Sequence, residues 1–452
     1  MKATTASRSA GPTSSVMTPE YYRKAALLGF GLFGAQLMWM LYNTYMPIFL
    51  QAGSPGFRTA AAVRGFGLSA TVTGVLMTLD NIAAFFFQPI MGPVSDRTRS
   101  RLGRRMPWIL VFAPLSALAF ALIPVGAQLI PAELSGRVSE LGGPFALLMG
   151  AALVMVVCMA LWRTPMFALL PDLFPSPLRS QANAVVNIMS GIGGILAFVV
   201  GGALFAVYQP LPFWFGAAAT VAAILVLYRS VREPPDLAEA AETPGGLKVL
   251  ERLREIPTEN KRSLVFLILT VFFYMVGYMA IETFFSSFAV TRLGLAPSAA
   301  AMLLAVSYVS FLIFALPASF LARRLGRRIT ITAGLLVFAA GLLVIWAFPV
   351  LPVVAAMLLV GGFGWSLVNV NCLPMILDTS TSEELMGTYS GLYFIATTLA
   401  GTVGPILNGR IIDLAGRDYS VIFLVCPIFF ILSFLCLAWV RTGEVKISGG
   451  QA

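Results

Sequence analysis

The sequence contains no histidine. Proton chemistry near neutral pH must then fall to carboxyl groups, because the one side chain that ordinarily titrates there is missing. Charge of either sign is also scarce. Charged residues are 11% of 452 positions, against about 25% in soluble domains, which excludes a large soluble core under a solvated surface. Only four cysteines occur, Cys158, Cys372, Cys426 and Cys436, each inside an apolar run, so neither a disulfide framework nor a metal site is expected. There is no Gly-x-x-x-x-Gly-Lys-[Ser/Thr] loop, so the chain is not itself an ATPase. No nucleophile, base or ligand cluster converges on one segment, and neither enzymatic activity nor a cofactor is expected.

What fills the chain instead is apolar sequence, 58% of the residues, with a mean hydropathy of +0.86. A membrane helix needs about 20 apolar residues. Twelve stretches qualify: 24–50, 69–92, 107–128, 144–169, 182–207, 211–229, 263–290, 298–321, 329–348, 351–376, 387–411 and 420–440. The fold class is therefore an all-α membrane protein of twelve transmembrane helices in two six-helix pseudo-repeat bundles. One long polar segment, Arg229 to Arg262, with Pro234-Pro235 and alternating charges after Lys248, splits it six plus six. The expected division is a cytoplasmic tail 1–22, a first bundle 23–229, a linker 230–262 with a short amphipathic helix, a second bundle 263–441 and a tail 442–452. Residues 1–20 lack the apolar core of a signal peptide and read as a disordered tail.

The net charge of +10 does not point to nucleic acid, because it sits in short loops. With the N-terminus in the cytoplasm, tails and inner loops hold about 23 of the 30 lysines and arginines. Both termini are thus expected to be cytoplasmic, in the cell (inner) membrane. The loops after the second and eighth stretches also echo each other, Gly92 to Arg105 against Ser319 to Arg328. Matching six-helix halves imply a parallel repeat with a binding site near the midplane between them.

Few ionisable residues lie inside the stretches. Asp80 is about 11 residues into the second, roughly 16 Å deep, where charge is costly and a carboxyl group serves as a reversible proton carrier. Glu282 lies in the outer half of the seventh stretch. Tyr274 and Tyr278 precede it at helical spacing on the same face, a carboxylate beside ring faces that suits a sugar. Asn43-Thr44 on the first stretch corresponds to Glu282-Thr283 in the repeat. Arg163, in the fourth, needs a buried partner, and Asp80 is the expected one. Gln36, Trp39, Asn43 and Trp365 are further lining candidates. Asn369 and Asn371 are two residues apart, so only one can face a cavity squarely. Asp96 among Arg97, Arg101, Arg104 and Arg105 reads as a charge-pair latch on the cytoplasmic side, with Asp172 and Arg179 in a similar part.

Gly92, Asp96-Arg97 and Gly103-Arg104-Arg105 form Gly-x-x-x-Asp-Arg followed by Gly-Arg-Arg, with Ser95, Ser100-Arg101 and Pro107-Trp108 around it. This resembles the loop signature of the major facilitator superfamily. Its longer form is similar to the sucrose/proton symporters and to the wider glycoside–pentoside–hexuronide:cation symporters. Arg163-Thr164-Pro165, Pro171-Asp172, Arg179-Ser180-Gln181, Glu282-Thr283-Phe284, Asn369-Val370-Asn371 and Gly387-Thr388-Tyr389 extend the likeness over both halves. The resemblance implies uptake of a disaccharide or glycoside with a cation, by a monomer in the bilayer. It makes the loop residues, Gly92 and Gly103 included, gating elements. The melibiose carriers' sodium site, by the same resemblance, needs acids where this chain has Ala84, Gln88 and Arg163. The expected coupling ion is therefore the proton, carried by Asp80 and Glu282 with Arg163. Arg323 replaces the acid of the second loop. The rival expectation, from 34 Phe and 19 Met, is a proton-driven exporter of amphipathic compounds.

Overall fold

The computed structural model describes residues 17–54, 57, 63–233, 258–380 and 385–441. The amphipathic segment expected in the linker and most of both tails lie outside them. Twelve spans long and apolar enough to cross a membrane are present, and no strand occurs among the described residues. Helices are what a bilayer permits, since each satisfies its own backbone groups.

The first half holds α1 (Pro19–Gln51), α2 (Ala70–Met77), α3 (Leu79–Arg97), α4 (Met106–Gln128), α5 (Gly142–Leu173), α6 (Arg179–Val207) and α7 (Leu211–Ser230). The second holds α8 (Thr258–Thr291), α9 (Pro297–Leu325), α10 (Arg327–Ala347), α11 (Leu351–Leu377), α12 (Met386–Leu414) and α13 (Ile422–Ala438). Polar caps carry helices beyond their apolar runs. Thr18 accepts the Tyr21 N–H at 3.4 Å, with Pro19 at the first position, so α1 starts five residues before the expected Lys24.

Packing repeats between the halves. α1 packs on α6 and α7, α4 on α5 and α7, and α3 on α5. The same pairs recur six spans later: α8 with α12 and α13, α10 with α11 and α13, and α9 with α11. The halves meet along α6 against α9, α2 and α3 against α12, and α1 against α8. We call the face where α1 begins the tail side and the opposite face the far side.

The second span is not one helix. Thr78 (φ −85°, ψ −6°) interrupts the ladder and its Oγ1 donates to the Val75 carbonyl at 2.7 Å. A new helix, α3, therefore begins in mid-membrane, and Asp80 is its second residue. Glycines allow the close crossings. At Gly362 of α11 an added Cβ would lie 2.3 Å from the Ser307 carbonyl oxygen of α9. At Gly150 it would meet nothing within 4 Å. Gly362→Leu should therefore cost about 1–3 kcal/mol, read as a lower midpoint of thermal unfolding in detergent, while Gly150→Leu should leave the midpoint unchanged.

Candidate functional site

Glu282 of α8 and Asn43 of α1 come together on the axis between the halves. Asn43 Nδ2 donates to Glu282 Oε1 at 2.9 Å. Asn43 and Glu282 belong to the first helix of each half, α1 and α8. The packing of α1 against α8 brings them face to face. Both line a cavity between the halves, with Tyr278, Trp365 and Tyr308. Thr44 and Ser307 add two hydroxyls, and much of the remaining wall is apolar, with Phe338, Leu342, Ile345, Met357 and Leu358 of α10 and α11 on one side.

Tyr278 stacks on Trp365, with ring centroids 3.7 Å apart and planes 7° apart, and Tyr274 meets Trp365 edge-on at 5.6 Å. The platform expected from Tyr274 and Tyr278 is not formed by those two rings: Trp365 takes the stacking place, Tyr274 is fully buried outside the cavity lining, and one face of Tyr278 is already covered. Gln36 of α1 donates to Tyr308 Oη of α9 at 3.5 Å, a second and weaker bond across the halves. Tyr308 also lies over Gly194 of α6, where an added Cβ would be 2.6 Å from its ring. Sequence reasoning missed Tyr308. Nothing in its neighbourhood, Ser307-Tyr308-Val309, separates it from a packing tyrosine.

Asp80 is buried, 6% exposed. Its Oδ1 accepts the Asn81 backbone N–H at 2.6 Å and Asn81 Nδ2 at 2.8 Å. The break at Thr78 supplies this free N–H, and a helix N-terminus favours a carboxylate. The expected pairing with Arg163 is not formed. Arg163 instead lies over the rings of Trp39, at 5.7 Å, and Phe167, at 5.6 Å. Cation–π contact substitutes for the ion pair because it lets a half-buried guanidinium keep its charge without an anion. Two further expectations are corrected. Asn371 turns back on its own helix, donating to the Leu367 carbonyl at 2.9 Å, and neither it nor Asn369 lines the cavity. Trp39 contacts Arg163 rather than the cavity.

The tail-side arginine loop is a buried knot within one half. Arg104 grips both carboxylate oxygens of Asp172 of α5, through Nη2 at 2.7 Å and Nε at 3.3 Å. Arg105 reaches Asp172 at 3.1 Å, pairs with Asp96 and donates to Ser95 Oγ. Glu233, just past α7, accepts the backbone N–H groups of Arg104, Arg105 and Met106 at 2.7–3.1 Å, capping α4. Gly103 (φ 102°) is required here, since a Cβ would strike the Glu233 carboxylate at 2.5 Å. The bonds of Asp96, Arg104, Arg105 and Asp172 thus tie α3, α4 and α5 together and do not reach the second half. Arg97 and Arg101 are exposed, and Gly92 faces open space. Arg179 leaves the knot and donates to the Phe174 and Pro171 carbonyls, ending α5. Glu233 escaped notice because an acid before Pro234-Pro235 looks like the start of a linker.

Twelve spans, a repeated packing scheme and a polar point on the axis define a membrane transporter rather than an enzyme. The sequence model of the Major Facilitator Superfamily matches residues 28–311 and 267–451, and the chain belongs to that family. It is 31% identical over 135 residues to an uncharacterized symporter of Synechocystis, covering 30% of this chain and 24% of that protein. It is 26% identical over 172 residues to the mouse proton-associated sugar transporter A, covering 38% of this chain and 21% of that protein. The matches thus span less than a quarter of either relative's own length. Among solved structures it resembles the nucleoside transporter NupG, with a TM-score of 0.69 at 15% identity, over 93% of this chain and 100% of that one; that likeness concerns the fold.

The knot yields a test of stability. Asp172→Asn leaves two buried guanidiniums short of an anion and should cost about 3–5 kcal/mol, seen as a large drop in the thermal midpoint. Arg97→Ala, at an exposed arginine, should stay within about 0.5 kcal/mol of the parent.

Proposed function

We propose that this transporter takes up a sugar, a disaccharide or glycoside, in symport with a proton, by alternating access across the cell membrane with both termini in the cytoplasm. The observation that carries the reading is the Asn43–Glu282 bond. It joins the halves at the cavity with the two functional groups that a sugar hydroxyl most readily replaces, an amide and a carboxyl. The stacked Tyr278–Trp365 pair offers an apolar ring surface beside them for C–H faces. The likeness to the mouse proton-associated sugar transporter A supports the substrate class, and its partial coverage leaves it a proposal.

In this reading Glu282 alternates between a proton and the hydrogen bonds of Asn43 and substrate. Asp80, a second carboxyl group in mid-membrane, is the other proton site. Arg163, held over Trp39 and Phe167, sets the positive potential near it. With no histidine, these carboxyl groups are the proton carriers the chain offers. A second reading, export of amphipathic molecules, draws on the apolar wall formed by Phe338, Leu342, Ile345, Met357 and Leu358.

Purified protein in liposomes should accumulate a labelled disaccharide when a pH gradient, acid outside, is imposed. Glu282→Gln should reduce accumulation more than tenfold. Asn43→Ala should raise KM about tenfold, the worth of about 1.4 kcal/mol. No accumulation across a panel of sugars, with gradient-dependent efflux of a lipophilic dye instead, would overturn the sugar reading in favour of the exporter.

A further inference from the structure

The bonds that cross the halves run from the middle of the bundle to the far side. Gln36–Tyr308 and Asn43–Glu282 lie towards the middle. Ser287 of α8 donates to Gln51 at the end of α1. At the far end of the α2–α12 seam stands Asp413, one residue before α12 ends.

The first turn of α2 has free amides, as every helix start does. Its own cap, Ser69, accepts the Val72 N–H at 3.3 Å. The amides of Ala70 and Thr71 are met from the other half. Asp413 Oδ1 accepts Ala70 N–H at 3.0 Å, and Oδ2 accepts Thr71 N–H at 2.8 Å and the Thr71 hydroxyl. These donors all belong to the first half, whereas the carboxylate belongs to the second.

The seam is built for that reach. An added Cβ at Gly409 would lie 2.4 Å from the Ala70 carbonyl oxygen, and one at Gly74 would lie 2.3 Å from that of Pro405. Backbone meets backbone, so the short aspartate side chain can arrive. Further down the same seam, Gly401 makes room for the amide of Asn81, which is bonded to Asp80.

We infer that Asp413 is a gating residue: its carboxylate caps α2 across the halves and holds the far side closed. A carboxylate at a helix N-terminus gains from the helix dipole as well as from its hydrogen bonds. When the halves part on the far side, water replaces these contacts, so the cap favours the far-closed state alone. A capping group of ordinary type would come from the same helix and would favour neither state. The inference rests on alternating access and not on the identity of substrate or ion.

The test needs no substrate. Spin labels are placed on the full chain in lipid nanodiscs, with its native cysteines replaced. One pair is Leu129 and Phe348, exposed on the far side of each half; the other is Leu102 and Leu325, on the tail side. Electron–electron distance distributions are then recorded. Asp413→Asn, which keeps one acceptor and loses the charge, should shift the population towards longer far-side and shorter tail-side distances at least fivefold. Thr71→Ala, which removes one of the three bonds, should shift it the same way by less. Should Asp413→Asn fail to fold, the Thr71→Ala shift decides. Unchanged distributions in the folded variants, or a broadening of both pairs without a change of direction, would overturn the inference.

Discussion

A polar group inside a bilayer must find its partner in the protein, since lipid offers none. In this chain the partner often lies in the other half. Asn43 and Glu282, on the first helix of each half, bond to each other. Asp413 bonds α2, and Gln51 takes the Ser287 hydroxyl. Each such group makes the relative placement of the halves matter energetically. The apolar remainder of the interface does not, because apolar side chains are as well placed against lipid as against each other. A few polar atoms thus determine how a predominantly apolar bundle is joined.

The two faces of the protein use charge differently. On the tail side, Arg104 and Arg105 with Asp96, Asp172 and Glu233 form a knot that stays within the first half. Buried arginines surrounded by carboxylates stabilise one rigid unit, and removing one member leaves the others exposed to a low dielectric. On the far side a single carboxylate reaches across to the other half. The charged loop so conspicuous in the sequence joins helices within one half, and an unremarkable aspartate joins the two halves.

The twelve spans were legible because the bilayer sets a length of apolar sequence that little else requires. The repeat was legible too, from the six-plus-six division and the matching loops. What escaped was direction around each helix. The spans are apolar on nearly every face, so depth could be estimated for Asp80 and Arg163 but not the side each points to. Arg163 in fact turns to Trp39 and Phe167, and Asn371 to its own backbone. The break at Thr78 carries no proline or glycine to announce it. Glu233, Tyr308 and Asp413 were missed for a related reason. Each looks ordinary in its own segment, and its partner is far away in sequence.

The central claim is that Asn43 and Glu282 form one interaction joining the halves at the cavity. A double-mutant cycle on the ratio of far-closed to far-open protein tests it most directly. Asn43→Ala, Glu282→Gln and the double variant would each be measured from the same distance distributions without substrate. A shared bond predicts that the double variant shifts the ratio no further than the larger single one, a coupling of about tenfold, or 1.4 kcal/mol. Independent effects that multiply in the double variant would contradict it.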